Sequence, residues 1–259
     1  MSEKWGQNFL VSQKYARQIA SQAVGMQRLL EIGPGRGILT KELLEQGASV
    51  MAVEIDPTLC ARLHQEIGCD RLMLYNEDIL KFDFEQLGAE KIFVIGNIPY
   101  QITSPLIEKL MRAWSRWSGI VLLVQKEVAD RMCADARTRD YSALSVMVAT
   151  FAHMKKLFDV HRSHFQPRPQ IDSTLVAFTM RPQPLIDNVS SYPWFLKTLF
   201  SQRRKKLINS LSQFFAGERP GTAYEWIGLD QRIETIDVSS ITRLYDQIRH
   251  DGRFKQPGA

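Results

Sequence analysis

Four consecutive residues, Asn97-Ile98-Pro99-Tyr100, carry the most specific chemistry in the chain. The Asn97 side-chain oxygen and the Ile98 backbone carbonyl can each accept one N–H of an exocyclic amine. That would aim the nitrogen at an electrophile and favour the pyramidal geometry of attack. An adenine N6 needs such help, because its lone pair is delocalised into the ring. Pro99 stiffens the loop so that the carbonyl points outward, and Tyr100 offers a flat face to a base removed from its stack. In isolation the same four residues also suit a purely structural turn. The surrounding sequence favours the chemical reading.

A second constellation begins at Glu31-Ile32-Gly33-Pro34-Gly35-Arg36-Gly37. Gly33 and Gly35 allow a sharp turn and a close backbone approach to a ligand. The spacing is Gly-x-Gly-x-Gly, which matches neither the Gly-x-Gly-x-x-Gly of dinucleotide folds nor the Walker phosphate loop. Glu54 ends the next predicted strand, where a carboxylate can accept both hydroxyls of a ribose. Asp78 follows the third strand and can accept from an adenine amino group, or simply cap a turn. A glycine turn and two acids on three successive strand ends suit an adenosine ligand without a phosphate-heavy tail.

These loops need a sheet to carry them. Short apolar runs alternate with helical patterns through the first 180 or so residues, the mark of an α/β fold. Residues 28–32, 49–55, 72–75, 91–95 and 119–124 read as strands, with helices after Gly37, from Pro57, from Thr103/Ser104-Pro105 and from about Lys126. Residues 155–160 and 174–180 are β-rich and can close the sheet as a hairpin-like pair. Pro182 and Pro184 interrupt regular structure, and only helical patterns follow: 194–200, 205–215, 224–227 and 240–249. The expected division is a catalytic domain at 1–182 and a small helical domain at 183–259.

The Asn97–Tyr100 run resembles the Asn/Asp-Pro-Pro-Tyr motif of nucleic-acid methyltransferases that methylate amino groups. Gln7-Asn8-Phe9-Leu10, Glu31–Gly37, Val53-Glu54-Ile55-Asp56, Asn97–Tyr100 and Gln125-Lys126-Glu127-Val128 follow in order. Pro169-Gln170-Ile171-Asp172-Ser173 and the run from Gln202 to Leu211 continue the pattern. Together they resemble the ribosomal RNA adenine dimethyltransferases, specifically the bacterial small-subunit (16S) enzymes linked to kasugamycin sensitivity. The resemblance implies a Rossmann-like, S-adenosylmethionine-dependent methyltransferase sheet with a small all-α C-terminal domain. It also implies that Asn8, Leu10, Gly33, Glu54, Asp78 and Asn97 line the cofactor site, with Gly35 in the same glycine turn. Asn8 and Leu10 rest on the resemblance alone. In that family two adjacent adenosines near the 3′ end of the small-subunit rRNA each receive two N6 methyl groups. By the same analogy, residues near Phe165 shape the pocket for the partly methylated amine.

Arg203-Arg204-Lys205-Lys206 is the clearest candidate for gripping RNA phosphates; a solvated helix face is the alternative. Lys155, Lys156, Arg162, His164 and Arg168 form a second, more diffuse basic stretch. Composition is compatible with this: 259 residues, 44% hydrophobic, net charge +5. Residues 185–259 hold 11 Lys and Arg against 8 Asp and Glu, so +3 of that charge lies in the helical part. Apolar runs such as 119–124 are too short to span a bilayer, and the first residues lack a secretory core, so neither membrane insertion nor secretion is expected. Three cysteines, at 60, 69 and 133, fit no disulfide framework and suit a reducing cytoplasm. The five histidines lack metal-ligand spacing, so no metal is expected. Trp114 and Trp117 read as packing residues, and the chain is expected to be monomeric. Rival readings are a large-subunit (23S) rRNA adenine methylase of the antibiotic-resistance type, a mainly non-catalytic ribosome-assembly factor, and a dinucleotide oxidoreductase. Glycine spacing and Asn97–Tyr100 disfavour the last.

Overall fold

The computed structural model describes residues 6–251 except 204, 216, 217 and 219. Strands are β1 (Phe9–Leu10), β2 (Arg28–Ile32), β3 (Ser49–Glu54), β4 (Leu72–Asn76), β5 (Ile92–Asn97), β6 (Trp117–Gln125), β7 (Ala152–Val160), β8 (Phe165–Gln166) and β9 (Ser173–Met180). Helices are α1 (Gln13–Ala20), α2 (Ile38–Glu45), α3 (Pro57–Ile67), α4 (Thr103–Arg112), α5 (Lys126–Met132), α6 (Ala143–Phe151), α7 (Tyr192–Phe200), α8 (Leu207–Leu211) and α9 (Val238–His250).

Seven strands form one sheet in the order β4-β3-β2-β5-β6-β9-β7. The β2–β3, β3–β4, β2–β5 and β5–β6 pairs are parallel, and β9 runs antiparallel to β6. Near-continuous apolar runs suit strands covered on both faces: Leu29, Leu30, Val94, Ile95, Leu122 and Leu123 are fully buried. Gly96 has a specific packing reason, since a Cβ there would stand 2.5 Å from the Ile32 carbonyl oxygen. Chain order moves outward from β2 to β4, then returns to β5 on the other side of β2. The carboxyl ends of β2 and β5 therefore meet at the switch point where such sheets bind ligands. Locally the helix starts follow their sequence: Asp56 accepts the Thr58 N–H at 2.8 Å, and Pro57 occupies the first turn of α3.

Compact units follow a different division from a single cut in the chain. One contains residues through Ala129 together with Met154–Met180; the other joins Asp130–His153 to the described residues from Arg181 onward. A boundary at 182/183 therefore leaves Asp130–His153 on the wrong side. The reason is α6, which buries Leu144, Val146, Met147, Val148 and Phe151 around most of its circumference. Such a helix needs partners on several sides, and it packs against α7 and α9. Tyr192, Phe195, Phe214 and Tyr245 form the aromatic centre of this unit. Its buried hydroxyls are partnered: Tyr192 with Thr150 at 2.8 Å, Tyr245 with Ser191 at 2.7 Å, and Tyr141 with the Ile236 carbonyl at 2.8 Å.

The 205–215 pattern resolves into α8 and a following 3-10 turn, Ser212–Phe215. Trp117 is buried, donates to the Leu110 carbonyl at 2.8 Å and meets Phe84 edge to face. It is a packing residue, as its position predicts. Among the described residues, no helix is long and apolar enough to cross a membrane.

Candidate functional site

Three strand ends and the N-terminal segment build the site. After β2 the chain turns through Gly33, Gly35 and Gly37, all at positive φ. Gly35 is constrained twice: its φ is +57°, and an added Cβ would lie 2.9 Å from the Phe9 ring. Its N–H donates to Glu54 Oε2 at 3.0 Å, coupling the glycine turn to the end of β3. Glu54 Oε1 accepts from the Asp56 N–H at 3.0 Å and from Gln7 Nε2 at 3.2 Å. Only 1% of Glu54 is exposed, and burial raises its pKa against the lowering effect of the Asp56 and Gly35 N–H donors.

Glu54, Gly33 and Gln7 line a pocket of about 300 Å³ with Asp78, Ile79 and Pro99. Asp78 both lines this pocket and caps a turn, since its Oδ1 accepts the Leu80 N–H at 2.9 Å. A smaller adjoining cavity is bordered by Leu10, Glu31, Gly33, Gly35 and Asn97. Glu31 is fully buried there, Oε2 lacks a hydrogen-bond partner, and burial pushes its pKa up to about 8 against the lowering effect of the Thr40 hydroxyl, with nearby Glu54 adding to the rise. Gln7 Oε1 is likewise buried and unpartnered. Buried polar atoms without partners are costly, so these two are natural acceptors for a ligand's donors.

Asn97 ends β5, and its Nδ2 donates to the Asn8 carbonyl at 2.9 Å. A carbonyl partner can be met only by the amide nitrogen, so this bond fixes the side chain and leaves Oδ1 as an acceptor. Asn8 thus contributes through its backbone. Leu10 pairs with Phe165 across the small β1–β8 ladder, which ties the N-terminal segment to the chain before β9. Phe165 itself is buried. Ile98 N donates to Leu123 O at 3.0 Å, while Pro99 O accepts from Ile102 N at 3.1 Å and from Thr103 Oγ1 at 3.3 Å. Tyr100 is half-buried, its hydroxyl lies 3.1 Å from Ser173 Oγ, and burial raises its pKa.

Asn8, Leu10, Gly33, Gly35, Glu54, Asp78, Asn97, Ile98, Pro99 and Tyr100 are therefore brought to one edge of the sheet. Gln7, Glu31 and Ser173 join them without having been singled out by sequence. All three sit in quoted motifs, yet no spacing distinguishes them from their neighbours. The basic run belongs to the other compact unit and is differently engaged. Arg203 Nε bonds Glu234 at 3.0 Å and Nη2 donates to the Arg139 carbonyl at 2.9 Å, while Lys206 pairs with Asp230 at 2.7 Å. Lys205 is exposed, and Arg204 lies outside the described residues. In the second stretch, Arg162 donates to the Gln170 carbonyl and His164 packs edgewise on Tyr15. Among the described residues, no group of three or more His, Cys, Asp or Glu is placed to hold a metal ion.

Residues 1–250 match the family model described as ribosomal RNA adenine dimethylase. The chain belongs to that family. It is 38% identical to the Ribosomal RNA small subunit methyltransferase A of Thermosynechococcus vestitus, over 95% of this chain and 96% of the relative. Among solved structures, a dimethyladenosine transferase from Plasmodium falciparum matches with a TM-score of 0.75 at 25% identity, covering 93% of this chain and 98% of that one. The 23S rRNA methyltransferase ErmE matches with a TM-score of 0.68 at 27% identity, covering 93% and 100%. The family's methyltransferase fold and the expected α/β sheet agree.

Proposed function

We propose that this chain is an S-adenosylmethionine-dependent enzyme that dimethylates N6 of two adjacent adenosines near the 3′ end of small-subunit (16S) rRNA, in step with small-subunit biogenesis. It acts as a monomer in the cytoplasm, where that substrate is assembled. The observation that carries the reading is the locked Asn97 amide, with its nitrogen on Asn8 and its oxygen left to accept, in a cavity that shares Gly33 with the pocket lined by Glu54 and Asp78. Small-subunit rather than large-subunit rRNA is favoured by the name shared by curated relatives at 33% and 38% identity.

The residues fit the cofactor. The buried, unpartnered Gln7 Oε1 and Glu31 Oε2 suit a ligand rich in hydrogen-bond donors, and Glu54 and Asp78 line the same pocket as Gln7. Glu54 would hold the ribose hydroxyls, Asp78 the adenine amino group, and the Gly33–Gly35 turn with Asn97 the remainder. S-adenosylmethionine, when bound, supplies a methyl group already activated by its sulfonium charge.

The chain's own residues then have mainly to position the target. Asn97 Oδ1 and the Ile98 carbonyl accept the two N–H bonds of the adenine amine and turn its lone pair toward the donor. Hydrogen bonds to Pro99 O hold the loop in place. Tyr100 stacks on the extruded base, with its hydroxyl anchored beside Ser173. Because burial raises its pKa, Tyr100 stays protonated near neutrality and serves as a platform rather than a base. The amine proton leaves to solvent after the methyl group arrives. Lys205, with Arg204 and Lys206, is the proposed phosphate contact of the helical unit, while Arg203 is committed to Glu234 and the Arg139 carbonyl.

The test is to supply labelled methyl donor to small-subunit particles from cells lacking the native enzyme and, in parallel, to free large-subunit RNA. Four methyl groups on two neighbouring adenosines of the small-subunit RNA are expected. Labelling confined to large-subunit RNA would overturn the assignment, and no labelling of either would favour an assembly factor without catalysis.

A further inference from the structure

Helix α4 buries Leu106, Ile107, Leu110 and Met111, but Lys109 leaves that face and reaches under the turn carrying Asp78. Its Nζ donates to the Leu80 carbonyl at 3.0 Å and to the Phe82 carbonyl at 2.5 Å, and lies 4.8 Å from the centre of the Phe84 ring. Asp78 also holds the turn. Its Oδ1 takes the Leu80 N–H, and its carbonyl takes the Lys81 and Phe82 N–H groups at 2.8 Å. Phe82 is buried, with its ring against Tyr75 and Phe84. The far side of the same turn, Glu77 to Leu80, is wall of the cofactor pocket. Lys109 thus grips the back of the segment whose front presents Asp78 to the ligand.

We propose that Lys109 is a positioning residue for nucleobase selection: its two bonds to the Leu80 and Phe82 carbonyls hold the Asp78 carboxylate where it accepts a purine's 6-amino group. The proposal rests on Asp78 facing that amino group, as assigned above. Burial holds the Lys109 pKa below the ordinary lysine value, and Asp78, Asp83 and Glu77 offset part of that cost, so the ammonium can donate to both carbonyls. A neutral side chain would leave two half-buried carbonyls short of a donor. The turn would then relax, and Asp78 with it.

The experiment is calorimetry of the full chain with S-adenosylhomocysteine and with its 6-oxo analogue, S-inosylhomocysteine. The unmodified protein is expected to prefer the amino compound, and Asp78→Asn to lose that preference. Lys109→Met keeps the stem against Phe84 but removes both bonds. It should weaken the amino compound about tenfold, as expected for losing charge-assisted hydrogen bonds, and the 6-oxo compound far less. Lys109→Arg should recover most of the difference, and Lys109→Gln, a second variant should the Met protein fail to fold, should fall between. Equal weakening of both ligands in Lys109→Met or Lys109→Gln, with preference intact, would reduce Lys109 to a structural staple and overturn the proposal. No preference in the unmodified protein would instead remove the Asp78 assignment beneath it.

Discussion

Replacing Glu31 by Gln tests whether a buried carboxyl under the glycine turn is neutral in the folded protein. Its pKa is lifted from 4.5 to about 8, chiefly by burial, and Oε2 has no hydrogen-bond partner. Between those two values the folded chain keeps the proton that the unfolded chain has released. Stability from this group is therefore present at low pH and lost as pH rises, with a slope of about 1.4 kcal/mol per pH unit. Over the span from 4.5 to about 8 the loss reaches roughly 5 kcal/mol, the upper bound for full ionisation inside an unrelaxed site. Gln has the same shape and never ionises. Glu31→Gln and the unmodified protein should thus differ by about 1 kcal/mol or less near pH 4.5, where the native carboxyl is already protonated. The variant should gain steadily above that and level off beyond pH 8. Urea unfolding followed by circular dichroism at pH 4.5, 6, 7.5 and 9 measures the difference directly. A difference that stays flat across this range would show that Glu31 does not bind a proton on folding, and the reasoning would fail. Removing the second acid sharpens the check: Glu54→Gln should lessen the pH dependence without abolishing it, because burial is the main cause of the rise at Glu31 and Glu54 a smaller one.

Other outcomes follow from the same geometry. Asn97→Ala should lower kcat by about a hundredfold or more, in line with losing a positioned polar group, while S-adenosylhomocysteine affinity falls less and RNA affinity is largely kept; full activity would refute the role of its amide. Gly35→Ala forces an L-residue to φ +57° and pushes a methyl toward Phe9, so it should cost about 1–2 kcal/mol in unfolding free energy and weaken cofactor binding. Arg203→Ala should destabilise the helical unit by about 1 kcal/mol through loss of the Glu234 and Arg139 contacts, with little change in the salt slope of RNA binding. Lys205→Ala should do the reverse, leaving stability alone and reducing that slope by about one. Finding the opposite pattern would put Arg203 on the RNA.

Much of the sheet was legible locally, because buried parallel strands are short apolar runs and their loops carry distinctive residues. Glu31–Gly37, Glu54, Asp78 and Asn97–Tyr100 could each be placed at a strand end without knowing the fold. Strand order was a different matter, and so was the role of the N-terminal segment. Asn97 meets Asn8 across 89 positions and Gln7 meets Glu54 across 47, and no period or composition marks such pairs. The two-residue ladder of Leu10 with Phe165 is too short to leave an alternating pattern.

Side-chain identity along the chain thus determined the chemistry on offer: acceptors for an amine, acids for a nucleoside, a glycine turn between them. Tertiary structure decided which of those groups are buried, paired or open. It sealed Glu31 from water, joined α6 to the helical unit, and committed Arg203 to Glu234 and the Arg139 carbonyl. Residue type sets what a group can do, whereas desolvation and the competition for partners depend on neighbours that only the folded chain assembles.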